Sequence, residues 1–332
     1  MPPSLESENM KKRVNVSFLK DFGILIVFVV LVIALSIISG GTFSTPRNFI
    51  NILKQTSVNG ILAMGMAFVI ISNGIDLSVG SIVALSGVVA CMFAHPADSG
   101  AGQYPFFVPI LIALLMGSLV GLFNGSLIAY GGIPPFIVTL GSMTIVSGLA
   151  LIISGGSPIY NVTSAFEAIA SGKTPLLSIP YLAIYMVIVV VICAFVLNKS
   201  VFGRRVYAIG GNEVAATVSG INVKRLRVIV YTISGFLAGF AGLLVASRTI
   251  TGSPTAGKSY EMDAIAACVI GGVSFVGGIG KIRGIVIGVV MLRLIFVGLN
   301  MVNVPQDLIY MVKGAIILFA CALDMRKYLV KK

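Results

Sequence analysis

Apolar positions fall along this chain in long unbroken runs. The runs lack the two-residue period of a half-buried strand and the polar stripe of a surface helix. Short breaks rich in glycine, proline, asparagine and serine separate them. A helix that crosses a bilayer needs about 20 mostly apolar residues. The runs at 22–39, 57–72, 82–94, 106–130, 136–154, 180–197, 228–247, 263–276, 284–299 and 308–323 therefore predict about ten spanning helices. Two runs are short. The one at 82–94 follows the polar break SNGIDLSVGS, and the one at 263–276 ends on Gly277, Gly278 and Gly280. Eight spans remain if these short pieces re-enter. The expected fold is all-α: a polytopic membrane protein of eight to ten helices, with a broken or re-entrant segment in each half.

Composition agrees. Of 332 residues, 57% are hydrophobic and 10% charged, whereas a soluble domain carries about 25% charged residues. So few charges cannot cover a water-facing surface, and lipid must take their place. The net charge of +12 invites a nucleic-acid partner, but the charges gather between apolar runs, as orientation signals do. No nucleic acid is expected. With ten spans, 16 of the 23 lysines and arginines fall on one side and five on the other. By the positive-inside rule the first side, with both termini, is cytoplasmic. The first run follows Lys11, Lys12, Arg13 and Lys20 but is long enough to be a retained span. Cys91, Cys193, Cys268 and Cys321 are isolated in apolar runs and His95 stands alone, so neither a disulfide nor a metal site is expected.

The longest internal polar interval is 198–227. It holds six basic residues and one acid, Glu213, and falls on the cytoplasmic side. Asn212 is placed to cap a short helix, Glu213 to favour its N-terminus, and Gly220 to close it. Val214, Ala215 and Val218 share a face of that helix, and Asn222 is placed to cap the next one. The residues leave two readings open: a helix that docks into a partner's groove, or a solvated topogenic loop.

GSPTAGKS at 252–259 matches the phosphate-binding pattern GxxxxGK[ST]. That loop works between a strand and a helix. Here a membrane span precedes it and the charge count puts it outside, so the match reads as coincidental. Gly117, Gly121 and Gly125, with Gly235/Gly239 and Gly284/Gly288, have the spacing that lets helices approach closely, within one chain or between subunits. Asp76 and Ser78 read first as caps of the third span and otherwise as lining of a polar path. Arg293 lies mid-span and needs a partner or water. Asn73 and Asn124 suit a polar substrate or a neighbouring helix. NGIDLSVGS and VGGIGKIRG form a weak internal echo, and interrupted segments in two halves point to a transport path. No acid–base constellation suggests an enzyme.

The stretches QTSVNGILAMGMAFVIISNGIDLSVGSI (55–82), GRRVYAIGGNEVAATVSGINV (203–223) and YEMDAIAACVIGGVSFVGGIGKIRG (260–284) resemble the permease subunits of bacterial ABC importers of the ribose, galactose and xylose type, the ribose permeases most nearly. The likeness runs over almost the whole chain. It implies a single permease domain over 1–332 in the bacterial inner membrane. It further implies a second permease copy, a cytoplasmic ATPase that alone binds ATP, and an extracytoplasmic sugar-binding protein. The loop at 198–227 becomes the coupling loop, with Gly211, Asn212, Glu213, Val214, Ala215, Val218, Ser219 and Gly220 as its ATPase contacts. Asn73, Asp76, Ser78, Asn124, Gly277, Gly278 and Arg293 are the candidates for the path. The rival class is an ion- or proton-coupled carrier, for which Asp76 and Arg293 are the only candidate groups.

Overall fold

The computed structural model describes residues 29–30, 32–96, 104–175 and 178–329. Residues 22–28 and 31 of the first expected span lie outside them; residues 29–30 and 32–38 are helical. The helices that follow are α1 (Pro46–Ile71), α2 (Val79–Met92), α3 (Phe107–Gly131), α4 (Pro135–Ser154), α5 (Ser164–Ser171), α6 (Tyr181–Lys199), α7 (Val201–Gly211), α8 (Glu213–Val218), α9 (Val223–Thr249), α10 (Tyr260–Ile270), α11 (Ile282–Met301) and α12 (Gln306–Leu329). Among the described residues there is no strand, only the isolated bridges Ile159–Gly252 and Lys173–Pro180.

Seven of these helices are long and apolar enough to cross a membrane: α1, α3, α4, α6, α9, α11 and α12. Of the ten expected runs, the first lies partly outside the described residues and two are too short. The two short runs form helices of 14 residues (α2) and 11 residues (α10). At 1.5 Å per residue these reach about 21 and 16 Å, short of a hydrocarbon core about 30 Å thick. Non-helical chain adjoins them, at 72–78 before α2 and at 250–259 and 271–281 on either side of α10. The break expected at Gly277, Gly278 and Gly280 is thus present, and a second precedes the short helix. The predicted run at 263–276 is helical only to Ile270.

Burial sorts the bundle into an inner and an outer layer. From Thr56 to Ile71 every residue of α1 is buried, as is every residue of α2 from Val79 to Cys91. The outer helices turn apolar side chains outward, among them Leu111, Leu115, Leu119 and Phe123 on α3 and Val187, Val191 and Phe195 on α6. Irregular backbone at membrane depth survives only when it is buried in protein or lines a cavity, and α1, α3 and α9 surround the first break. The glycine spacings act within the chain. A Cβ on Gly117 would overlap Gly235, one on Gly239 would lie 2.5 Å from the Ala113 carbonyl oxygen, and one on Gly288 would overlap Ala267. Backbones in contact gain dispersion energy where lipid supplies no hydrophobic drive.

The loops that the charge count groups also lie together. Gly278 N–H donates to the Ile71 carbonyl (2.8 Å), and Tyr207 Oη donates to the Gly280 carbonyl (2.8 Å). These contacts join the ends of α1, α7 and the 271–281 turn. At the opposite ends, Thr163 N–H donates to the Ala94 carbonyl (2.8 Å), and Ile159 pairs with Gly252.

Candidate functional site

The break at 72–78 is built from residues far apart in sequence. Asp76 is fully buried. One carboxylate oxygen accepts Ser78 N–H (3.0 Å) and Ser78 Oγ–H (2.6 Å); the other accepts Ser234 Oγ–H from α9 (2.8 Å). Asn124 on α3 donates its amide to Ser78 Oγ (2.9 Å). Tyr231 and Thr139 donate to the Ile75 carbonyl at 3.2 and 3.3 Å. Asp76 therefore makes a local turn with Ser78 and a crosslink to α9. The helix N-cap position itself belongs to Ser78, whose hydroxyl does not cap the helix. Three of the expected path residues, Asp76, Ser78 and Asn124, meet in one buried polar knot. Ser234, its fourth member, carries no sequence signal: it is one serine in an apolar run.

The other expected path residues lie elsewhere. Asn73 is exposed and takes the left-handed conformation (φ 62°) that ends α1. Gly277 and Gly278 also have positive φ, 87° and 70°, and pack beside Asn73 and Gly211. All three belong to the joint at the end of α1. Arg293 on α11 donates to Gln55 on α1. Close by, Lys313 on α12 pairs with Asp263 on α10 at 2.7 Å and lies over the Phe296 ring at 4.8 Å.

The stretch 198–227 contains two helices where the sequence showed one. In α7, Gly203, Val206, Ile209 and Gly210 are buried, the i, i+3, i+6, i+7 signature of an amphipathic helix. Arg204 and Arg205 between them had masked it. Ser200 caps α7 through Gly203 N–H (3.0 Å). The second helix, α8, begins and ends where the sequence placed it. Asn212 Oδ1 accepts Ala215 N–H at 2.9 Å. At the other end Gly220 has φ 82°, and Ile221 N–H reaches back to the Ala216 carbonyl at 3.1 Å. That is a left-handed helix stop closed by a six-residue hydrogen bond. Asn222 caps α9 through Arg225 N–H (3.0 Å).

Only Ala216 of α8 is buried; Gly211, Asn212, Glu213, Val214, Ala215, Val218, Ser219 and Gly220 are all exposed. Val214 and Val218, one turn apart, are 74% and 84% exposed. Glu213 is held by Arg227 at 2.5 Å, which ties α8 to the start of α9. A six-residue helix cannot persist alone in water; caps at both ends, one buried alanine and one ion pair hold this one while its apolar pair stays bare. Gly210, just ahead of it, is pressed against the Ile71 carbonyl and Gly278, where any Cβ would overlap. The residues around α8 are thus mechanically connected to the end of the central helix α1.

GSPTAGKS follows α9, a helix, and runs directly into α10. The strand that a phosphate-binding loop of that pattern requires is not what precedes it.

A multi-pass bundle with broken central segments and an exposed, braced short helix has the build of a membrane permease. The chain belongs to the family described as the branched-chain amino acid transport system permease component, which matches residues 48–321. It is 41% identical over 334 residues to the galactose/methyl galactoside import permease protein of Escherichia coli strain K12, covering 97% of this chain and 99% of that one. It is 42% identical over 299 residues to the ribose import permease protein of Bacillus subtilis strain 168, covering 90% of each. The xylose transport system permease protein of Haemophilus influenzae is 36% identical over 372 residues, covering 94% of this chain and 97% of its own. The identities to the galactose and ribose proteins do not separate one from the other. No solved structure matches the chain.

Proposed function

We propose that this chain is the membrane permease of an ATP-driven importer and carries a monosaccharide of the ribose, galactose or xylose class into the cytoplasm. The observation that carries the reading is α8: an apolar pair left bare on a helix that is capped, ion-paired and joined to α1. Such a helix serves as a lever when a partner seats on it. The partner is a cytoplasmic ATPase, which binds and hydrolyses the ATP; this permease uses no cofactor of its own. Push or pull on α8 passes through Gly210 to Ile71 and Gly278, and along α1 to the Asp76 knot. Two permease copies open alternately outward and inward, and an extracytoplasmic binding protein delivers the sugar. Both termini lie in the cytoplasm. Of the two groups a carrier would rest on, Asp76 is already engaged, since both its oxygens accept hydroxyl groups.

The test is reconstitution in vesicles with the ATPase and the binding protein. Uptake should require ATP, vanish with a hydrolysis-dead ATPase and survive an uncoupler. Uptake that persists with the dead ATPase and collapses with the uncoupler would replace this reading by the carrier.

A further inference from the structure

A cavity of about 370 Å³ lies between the start of α2 and the loop before α10. Its inner wall is the N-terminal end of α2, its rim is the loop at 254–259 with the first turn of α10, and α4 borders it through Met143, Ser147 and Leu151. The first turn of α2 touches the loop here: a Cβ on Gly80 would lie 2.5 Å from the Gly257 carbonyl oxygen, and a Cβ on Gly257 would overlap Gly80 in turn. Glycine at both positions lets the helix and the non-helical loop come together.

The lining has a definite chemistry. Glu261 is partly buried, with its carboxylate set over Gly80. The two ion pairs found among the described residues, Arg227–Glu213 and Lys313–Asp263, do not include it. Lys258 supplies one cation, and Ser147 and Ser259 supply hydroxyls. A carboxylate only accepts hydrogen bonds and an ammonium only donates them. One of each leaves the cavity without net charge. The opposite charges cancel and so favour neither an anionic nor a cationic solute, while neighbouring hydroxyls of a neutral polyol satisfy both groups. The volume falls in the range of small-molecule sites, about 300–1,000 Å³. Non-helical chain at this depth is tolerated where it lines such a space.

We infer that this cavity holds the sugar in transit, with Glu261 accepting from two adjacent sugar hydroxyls and Lys258 donating to a third. The loop that mimics a nucleotide site is on this account a sugar-handling segment. The inference rests on the importer reading and adds the place where the substrate is held.

The test uses the assembled transporter in vesicles, with radiolabelled ribose, galactose and xylose each supplied with a binding protein that carries it. The readout is sugar delivered per ATP hydrolysed. Glu261→Gln keeps the shape and removes the charge; Ser147→Phe fills the cavity from the opposite wall without touching the loop. Both should lower the ratio at least tenfold for a sugar that the unaltered transporter carries. An unchanged ratio in Ser147→Phe overturns the inference whatever Glu261→Gln does, because a filled transit site cannot pass its solute. An unchanged ratio in Glu261→Gln overturns the assignment of the carboxylate. Failure of the unaltered complex to deliver any sugar on ATP is a different result and removes the importer reading itself.

Discussion

Ser234 on α9 donates its hydroxyl to Asp76 at 2.8 Å, joining a broken segment to a helix 158 residues further along the chain. A buried acceptor that loses its donor costs about 1–3 kcal/mol. Ser234→Ala should therefore lower the melting temperature of the purified protein measurably. Asp76→Ala should cost more, since it strands Ser78 as well as Ser234, and the double variant should cost less than the sum of the singles because the residues share one network. Additive effects in thermal melts would show that the knot is not a unit.

The proposed docking role of α8 makes a sharper prediction. Val214 and Val218 touch little within the chain, so Val214→Asp and Val218→Asp should leave the melting temperature within about 2 °C, as exposed substitutions do. Both should weaken co-purification with the ATPase at least tenfold. Ala215→Trp should act likewise by bulk.

Glu213 needs a separate test, because it pairs with Arg227. A partly exposed pair contributes about 0.2–1 kcal/mol. Glu213→Arg should uncouple ATP hydrolysis from uptake. If Glu213→Arg combined with Arg227→Glu restores full coupling, the acid serves only to brace α8. Continued uncoupling in the exchanged pair assigns it to the partner's surface.

Glycines of like sequence context should divide cleanly. Gly117 abuts Gly235 and Gly239, whereas Gly141 and Gly148 on α4 have open space around them. Gly117→Leu should abolish recovery of monodisperse protein, since overpacking a tight contact costs about 1–3 kcal/mol or more. Gly141→Ala and Gly148→Ala should be recovered at normal yield. Size-exclusion profiles in detergent decide between the two outcomes.

Lys313 and Asp263 form a buried ion pair between α12 and α10. Removing one partner of such a pair typically costs about 3–5 kcal/mol, because the other charge stays buried alone. Lys313→Met should destabilise strongly, and adding Asp263→Leu should recover much of the loss. A double variant no more stable than Lys313→Met in a melt would contradict the pairing.

The features legible in the residues are those whose cause is local. Asn212, Gly220 and Asn222 specify the ends of α8 and the start of α9 through hydrogen bonds to chain no more than five residues away. The seven long helices follow from run length alone. Helix α7 is hidden in the residue pattern because Arg204 and Arg205 read as loop charges, although the spacing of Gly203, Val206 and Ile209 carries the helical period. The glycines at 277–278 mark a break after α10, and the chain is non-helical there, at 271–281; the non-helical stretch at 250–259 before α10 is one they do not mark. Glycine content marks a turn without saying whether the turn sits at a surface or at depth.

By itself the sequence determined a lipid-embedded helical bundle, the grouping of its loops at two ends and a capped helix in the 198–227 stretch. Those depend on composition and on contacts within a few residues. Only the tertiary structure decided that Asp76, Ser78, Asn124 and Ser234 form one knot, that Asn73 and Gly277 belong to a joint at its edge, and that Gly80, Gly257 and Glu261 line one cavity. Lipid and protein interior are equally apolar, so the pattern along a membrane helix does not say which face meets which neighbour. Close packing of backbones across glycine makes that choice, and it acts between residues that the chain order keeps far apart.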